Sequence, residues 1–122
     1  MDFRYSPEET AFRDGFTAWL DGINAEKKGK FPTKLSDPLD VQVAWYREFQ
    51  KKMFDAGYAG VTWPKEYGGM GGSIIESFIL DEILQKRNMV QNFNGIGFGM
   101  AGGVIMAFGT DEQKNRYIPA ML

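Results

Sequence analysis

The side chains in this sequence best suited to move a proton are four carboxylates, Glu66, Glu76, Asp81 and Glu82. A carboxylate works as a general base when it is held within hydrogen-bond reach of an acidic proton. These four fall in a glycine-rich turn or on a solvated helix face, so none is assigned catalysis. The chain contains neither cysteine nor histidine. That excludes thiolate nucleophiles, disulfides, zinc–thiolate sites and the Ser-His and Cys-His pairs. One motif remains: Gly97-Phe98-Gly99-Met100-Ala101-Gly102 matches the G-x-G-x-x-G dinucleotide pattern. The pattern needs a strand before it, a helix after it and an acidic residue about 20 positions on. A capped helix and a Gln-Asn stretch precede it here. The match reads as a chance product of a glycine-rich segment, so no cofactor-binding or metal-binding residue is assigned.

The length, 122 residues, suits one domain, 1–122, with a single core. Charges nearly balance, 14 − 16 = −2, and no Lys/Arg stripe argues for nucleic acid. Met1–Arg4 run directly into a capped helix, with no apolar signal segment or Arg-rich transit peptide. Together with the absence of cysteine, this reads as a cytoplasmic protein.

Capping signals divide the chain into five helices. Ser6-Pro7-Glu8-Glu9 is a capping box with proline at the first helical position. It opens a helix to about Glu26 whose apolar face is Phe12, Phe16, Trp19, Leu20 and Ile23. Residues 27–36 read as a basic, exposed loop. Asp37-Pro38 starts a second helix with Val41, Trp45, Phe49 and Met53 on its core face, stopped by Gly57. A loop with five glycines follows, Tyr58 to Gly72. Ser73 and Glu76 then cap a helix to about Lys86, with Ile75, Phe78, Ile79 and Ile83 buried and Asp81, Glu82 and Lys86 in water. Thr110 and Gln113 cap a last helix that should end before Pro119. No strand pair is convincing, and the fold class is all-α, a bundle-like helical domain.

Between the last two caps lie 23 residues without charge, Asn88 to Thr110. The polar first half and the short apolar part, Ile96 to Phe108, argue against a membrane span. A buried, glycine-rich helix fits better. Its small residues permit either close helix packing or a ligand-cavity wall, with Asn92, Ile96 and Met100 on one strip.

Two tracts, Gly60-Val61-Thr62-Trp63-Pro64-Lys65-Glu66-Tyr67-Gly68-Gly69-Met70-Gly71-Gly72 and Phe108-Gly109-Thr110-Asp111-Glu112-Gln113-Lys114-Asn115-Arg116-Tyr117-Ile118-Pro119, carry a family pattern. In their order and separation they resemble the N-terminal helical domain of acyl-CoA dehydrogenases, from the Ser6 helix to Pro119. Locally, both tracts read as packed structure. The resemblance implies α,β-desaturation of an acyl-CoA thioester. A carboxylate takes the α-proton and FAD takes the β-hydride, and both come chiefly from middle and C-terminal domains beyond Leu122. This chain alone is then expected to be inactive. The resemblance further implies a homotetramer, an electron-transfer flavoprotein or similar acceptor, and an acyl-tail cavity partly walled by Asn92, Ile96 and Met100. Asn92 paired with apolar Ile96 departs from the longer polar pair of some straight-chain enzymes, which leaves a branched, aromatic or polycyclic acyl group open. An acyl-CoA oxidase or flavin monooxygenase of the same fold group, and a free-standing helical interaction module, are the competing readings.

Overall fold

The computed structural model describes residues 4–26, 36–89 and 94–122. The expected basic loop, apart from Ser36, falls outside these residues, and so does Asn92. The described chain forms helices α1 (Pro7–Glu26), α2 (Leu39–Asp55), α3 (Ile74–Lys86), α4 (Gly102–Phe108) and α5 (Asp111–Met121). A 3-10 turn covers Lys65–Tyr67, and a π-helical turn, Gly97–Ala101, leads into α4. Among the described residues there is no strand. The domain is all-α.

The caps form as their sequences dictate. Ser6 Oγ accepts from the Glu9 N–H at 3.2 Å while Glu9 Oε2 accepts from the Ser6 N–H at 2.7 Å. Ser73 with Glu76 and Thr110 with Gln113 repeat the reciprocal pair. Each box satisfies two N–H groups that the first helical turn would otherwise leave without partners. Past α2, Gly57 takes a left-handed φ of 80°, and the Tyr58 N–H bonds back to the Met53 carbonyl at 2.8 Å. This is the six-to-one closure that ends many helices at a glycine.

Five expectations need correction. Pro38 is the cap of α2, not its first helical residue, and Val41 is exposed while Phe49 and Met53 are buried. In α3 the buried side chains are Ile79, Leu80 and Leu84, whereas Ile75 and Phe78 point outward. Asp81 is half-buried, unlike its exposed neighbour Glu82. Helix α5 runs through Pro119 to Met121. Proline in a last turn sacrifices one intrahelical bond, but Ile118 and Leu122 on either side are both buried, and that packing carries the helix on.

Phe16, Leu20, Trp63, Leu80, Leu84 and Ile118 belong to one central core cluster. Helix α1 lies along α3, and two exposed ties reinforce the contact: Arg87 to Asp21 at 2.5 Å, and the Tyr5 hydroxyl to Glu82 at 3.4 Å. Aromatic rings join α1 to α2 through Trp19 and Phe49, with centroids 6.1 Å apart. Gly22 lies within α1 with open space where a Cβ would stand. Gly22→Ala should therefore raise unfolding free energy by up to about 1 kcal/mol, since alanine loses less backbone entropy in a helix. Urea denaturation of the two forms would read this directly, and a loss of stability would contradict it.

A bond to Lys86 and that ammonium's charge hold Glu82 below the usual carboxylate range, with the Tyr5 hydroxyl adding a smaller pull. Since the folded value is depressed, the ion pair contributes above the ordinary carboxylate range. Its contribution is lost as pH falls through the depressed value. The group is exposed, so the visible consequence is a titration shift: Lys86→Ala should move the Glu82 midpoint upward in a carbon-detected NMR pH series. An unmoved midpoint would show the pair is not formed in solution.

Candidate functional site

The Gly60–Gly72 loop positions everything that follows. Its backbone is stitched by Trp63 N–H to Gly60 O at 2.9 Å, Met70 N–H to Gly60 O at 3.0 Å and Gly71 N–H to Trp63 O at 2.8 Å. Gly60, Gly68 and Gly71 supply the left-handed φ values of 55°, 92° and 67° that these tight turns require. The result drives Trp63 inward to 6% exposure. Its indole meets the ring of Phe98 at 4.8 Å and approaches Gly102 so closely that a Cβ there would lie 2.5 Å from Cζ2. Gly102 is thus a glycine by necessity of space. Its N–H bonds to the carbonyl of Gly97, five residues back, and this closes the π turn.

An open cleft of about 860 Å³ lies beside this junction, lined among others by Tyr46, Gln50, Trp63, Ser77, Asp81 and Phe98. Its size is that of a small-molecule pocket. Desolvation raises the Tyr46 hydroxyl above its ordinary value. Tyr67, nearby in the chain, is raised by desolvation first and by Glu66 next. Both phenols therefore stay protonated and serve as hydrogen-bond donors rather than bases at neutral pH. Of the four carboxylates, Glu76 closes a helix cap and Glu82 pairs with Lys86, while Glu66 is exposed in the 3-10 turn. Asp81 alone reaches the cleft. Among the described residues no group of carboxylates could hold a metal ion, and no helix is long and apolar enough to cross a membrane.

Ile96 and Met100 stand away from the cleft. They are 77% and 67% exposed, and Val104 and Phe108 continue the row at 60% and 86%. The segment expected to be buried and glycine-rich is therefore two-sided. Phe98 and Gly102 face the Trp63 loop, while an apolar strip is left open on the far side. The G-x-G-x-x-G match lies inside a helix, with its backbone engaged in helical bonds rather than arranged to cradle a phosphate. Sequence reading missed Phe98 and the π turn. The bulky–small pair Phe98 and Gly102, four residues apart and opposite Ile96, was the available signal.

A family model described as "Acyl-CoA dehydrogenase, N-terminal domain" matches residues 6–122. The chain belongs to this family. The acyl-CoA dehydrogenase FadE26 of Mycobacterium tuberculosis is 35% identical over 119 residues, 98% of this chain and 29% of its own length. A 3-(aryl)acrylate reductase of Clostridium sporogenes is 30% identical over 72% of this chain and 24% of its own. The solved ChsE4–ChsE5 complex from M. tuberculosis superposes with a TM-score of 0.72 at 25% identity, covering 99% of this chain and 29% of that one. This acyl-CoA dehydrogenase N-terminal domain thus spans less than a third of the length of these relatives.

Proposed function

We propose that residues 1–122 act as the N-terminal domain of an FAD-dependent acyl-CoA dehydrogenase, walling part of the acyl-tail cavity and supplying neither catalytic base nor flavin site. The observation carrying this reading is the row Ile96, Met100, Val104 and Phe108, apolar and exposed on one side of a helix in a domain of this family. An apolar row of this extent is costly to leave in water. Covered by further domains, it becomes a cavity wall, to which the family resemblance adds Asn92, four positions before Ile96 in the sequence. Substrate atoms would then meet Asn92, Ile96 and Met100. Bound FAD would accept the β-hydride while a carboxylate from another domain takes the α-proton. The complete protein is read as a homo-oligomer, a tetramer, that passes electrons to an electron-transfer flavoprotein or similar acceptor.

The test is to express the complete polypeptide and titrate it anaerobically with acyl-CoA thioesters differing in tail size. Loss of the oxidised flavin absorbance, with release of the enoyl thioester, is the expected result. A preparation that binds no flavin, or whose flavin no thioester bleaches, would sink the reading. The similarity to a 3-(aryl)acrylate reductase favours one variation, the same Cα–Cβ chemistry run toward saturation. Faster reoxidation of reduced flavin by an enoyl substrate than by an electron-transfer flavoprotein would select it.

A further inference from the structure

We propose that Trp63 is a positioning residue for the apolar strip: wedged on Gly102 and Phe98, it holds the π-helical turn that keeps Ile96, Met100, Val104 and Phe108 in one straight row. The name "acyl wall" for that row rests on the reading above, but the geometric claim stands apart from it.

An α-helix advances about 100° per residue, so a row of every fourth residue drifts about 40° per step. Over the three steps from Ile96 to Phe108 the drift would reach about 120°, carrying Phe108 well off the side that Ile96 occupies. All four side chains are nevertheless exposed. The π turn keeps that drift small. Winding more slowly, with a bond from Gly102 N–H to Gly97 O, it absorbs drift midway along the row. The same correction brings Phe98 and Gly102, also four residues apart, to bear together on the one indole of Trp63. Beyond Gly102, Ile105 and Met106 pack against the core, which anchors the α4 end. If the Trp63 contact were lost and the turn closed as α-helix, the end carrying Ile96 would rotate against that anchor. The rotation is up to about 100° for one residue's worth of winding. It would break the row between Met100 and Val104.

The absence of cysteine makes the rotation measurable. Single thiols introduced as Ile96→Cys or Val104→Cys react with a maleimide at rates set by their access. Adding Gly102→Ala, whose methyl displaces the indole, should slow the thiol at 96 by about fivefold, leave that at 104 within about twofold, and regain the fast rate when Trp63→Phe restores space. Equal changes at both thiols, or none at either with circular dichroism unchanged, would overturn the proposal. Should Gly102→Ala prevent folding, Phe98→Leu, which removes one ring face without adding volume, must produce the same asymmetry in weaker form.

In the complete enzyme, Gly102→Ala should raise KM for a bulky acyl-CoA by about tenfold while kcat and the KM for a short acyl-CoA stay within about twofold. A thiol asymmetry without that split leaves Trp63 setting the row and refutes the row as acyl wall. A uniform fall in kcat for every thioester, with no asymmetry, refutes the positioning role itself.

Discussion

Alanine in place of Trp63 is expected to remove about 3–5 kcal/mol of folding stability, the range for deleting a buried aromatic from a core. The backbone bonds of the loop do not depend on the side chain, so the loss is that of the ring and the cavity it leaves. The residue is 6% exposed and packs against Phe98 and Gly102, and the glycine has no side chain with which to refill the space. A domain of this size holds about 5–15 kcal/mol in total, so the loss is a large share of the whole. Urea denaturation supplies the number. A loss under about 1 kcal/mol would mean that the indole is not packed as described. Phe108→Ala is the matched control: at 86% exposure it should change the stability of this chain by no more than about 0.5 kcal/mol.

The second large effect comes from adding a single methyl. Gly69 does not have a left-handed φ, yet a Cβ there would overlap the Trp63 carbonyl oxygen and lie 2.6 Å from Trp63 Cβ. The obstacle is backbone, which cannot rotate aside as a side-chain tip would. Gly69→Ala should therefore cost about 1–3 kcal/mol or more through overpacking, and it should also disturb the Trp63 contacts downstream. Gly103→Ala, in α4 with nothing within 4 Å, should instead gain up to about 1 kcal/mol. Thermal unfolding of the pair separates the two. If both glycines tolerated alanine equally, the tight crossing of residues 63 and 69 would be wrong.

The same packing gives the Trp63–Gly69 tract its structural role. Its glycines and proline fold a loop whose purpose is to deliver one indole to the glycine of another element. A side chain at Gly69 or Gly102 would block that delivery, so the tract and the glycine-rich segment form one packing unit. The role assigned to the tract is packing. Its single carboxylate, Glu66, is exposed and hydrogen-bonds the neighbouring Tyr67 hydroxyl, which stays protonated.

What the sequence by itself determined is what depends on neighbours within a few residues. Three capping boxes, the glycine stop after α2 and the all-α class follow from side chains three residues apart bonding to each other's backbone, and tertiary context hardly enters. The two family tracts were legible for the same reason: each is a local arrangement of turn and cap residues. The buried face of α3 was not. Ile74, Ile75, Phe78, Ile79, Leu80, Ile83 and Leu84 make that helix apolar nearly all round. Periodicity then offers no preferred side, and only the place of α1 selects Ile79, Leu80 and Leu84. Pro119 likewise looked like an end, until Ile118 and Leu122 found the core on both sides of it. For the candidate site, the sequence placed Ile96 and Met100 on one strip, as any four-residue spacing would. That the strip faces outward was decided only in three dimensions: an indole 39 positions before Gly102 in the chain packs on that glycine beside a π turn that no local residue pattern announces.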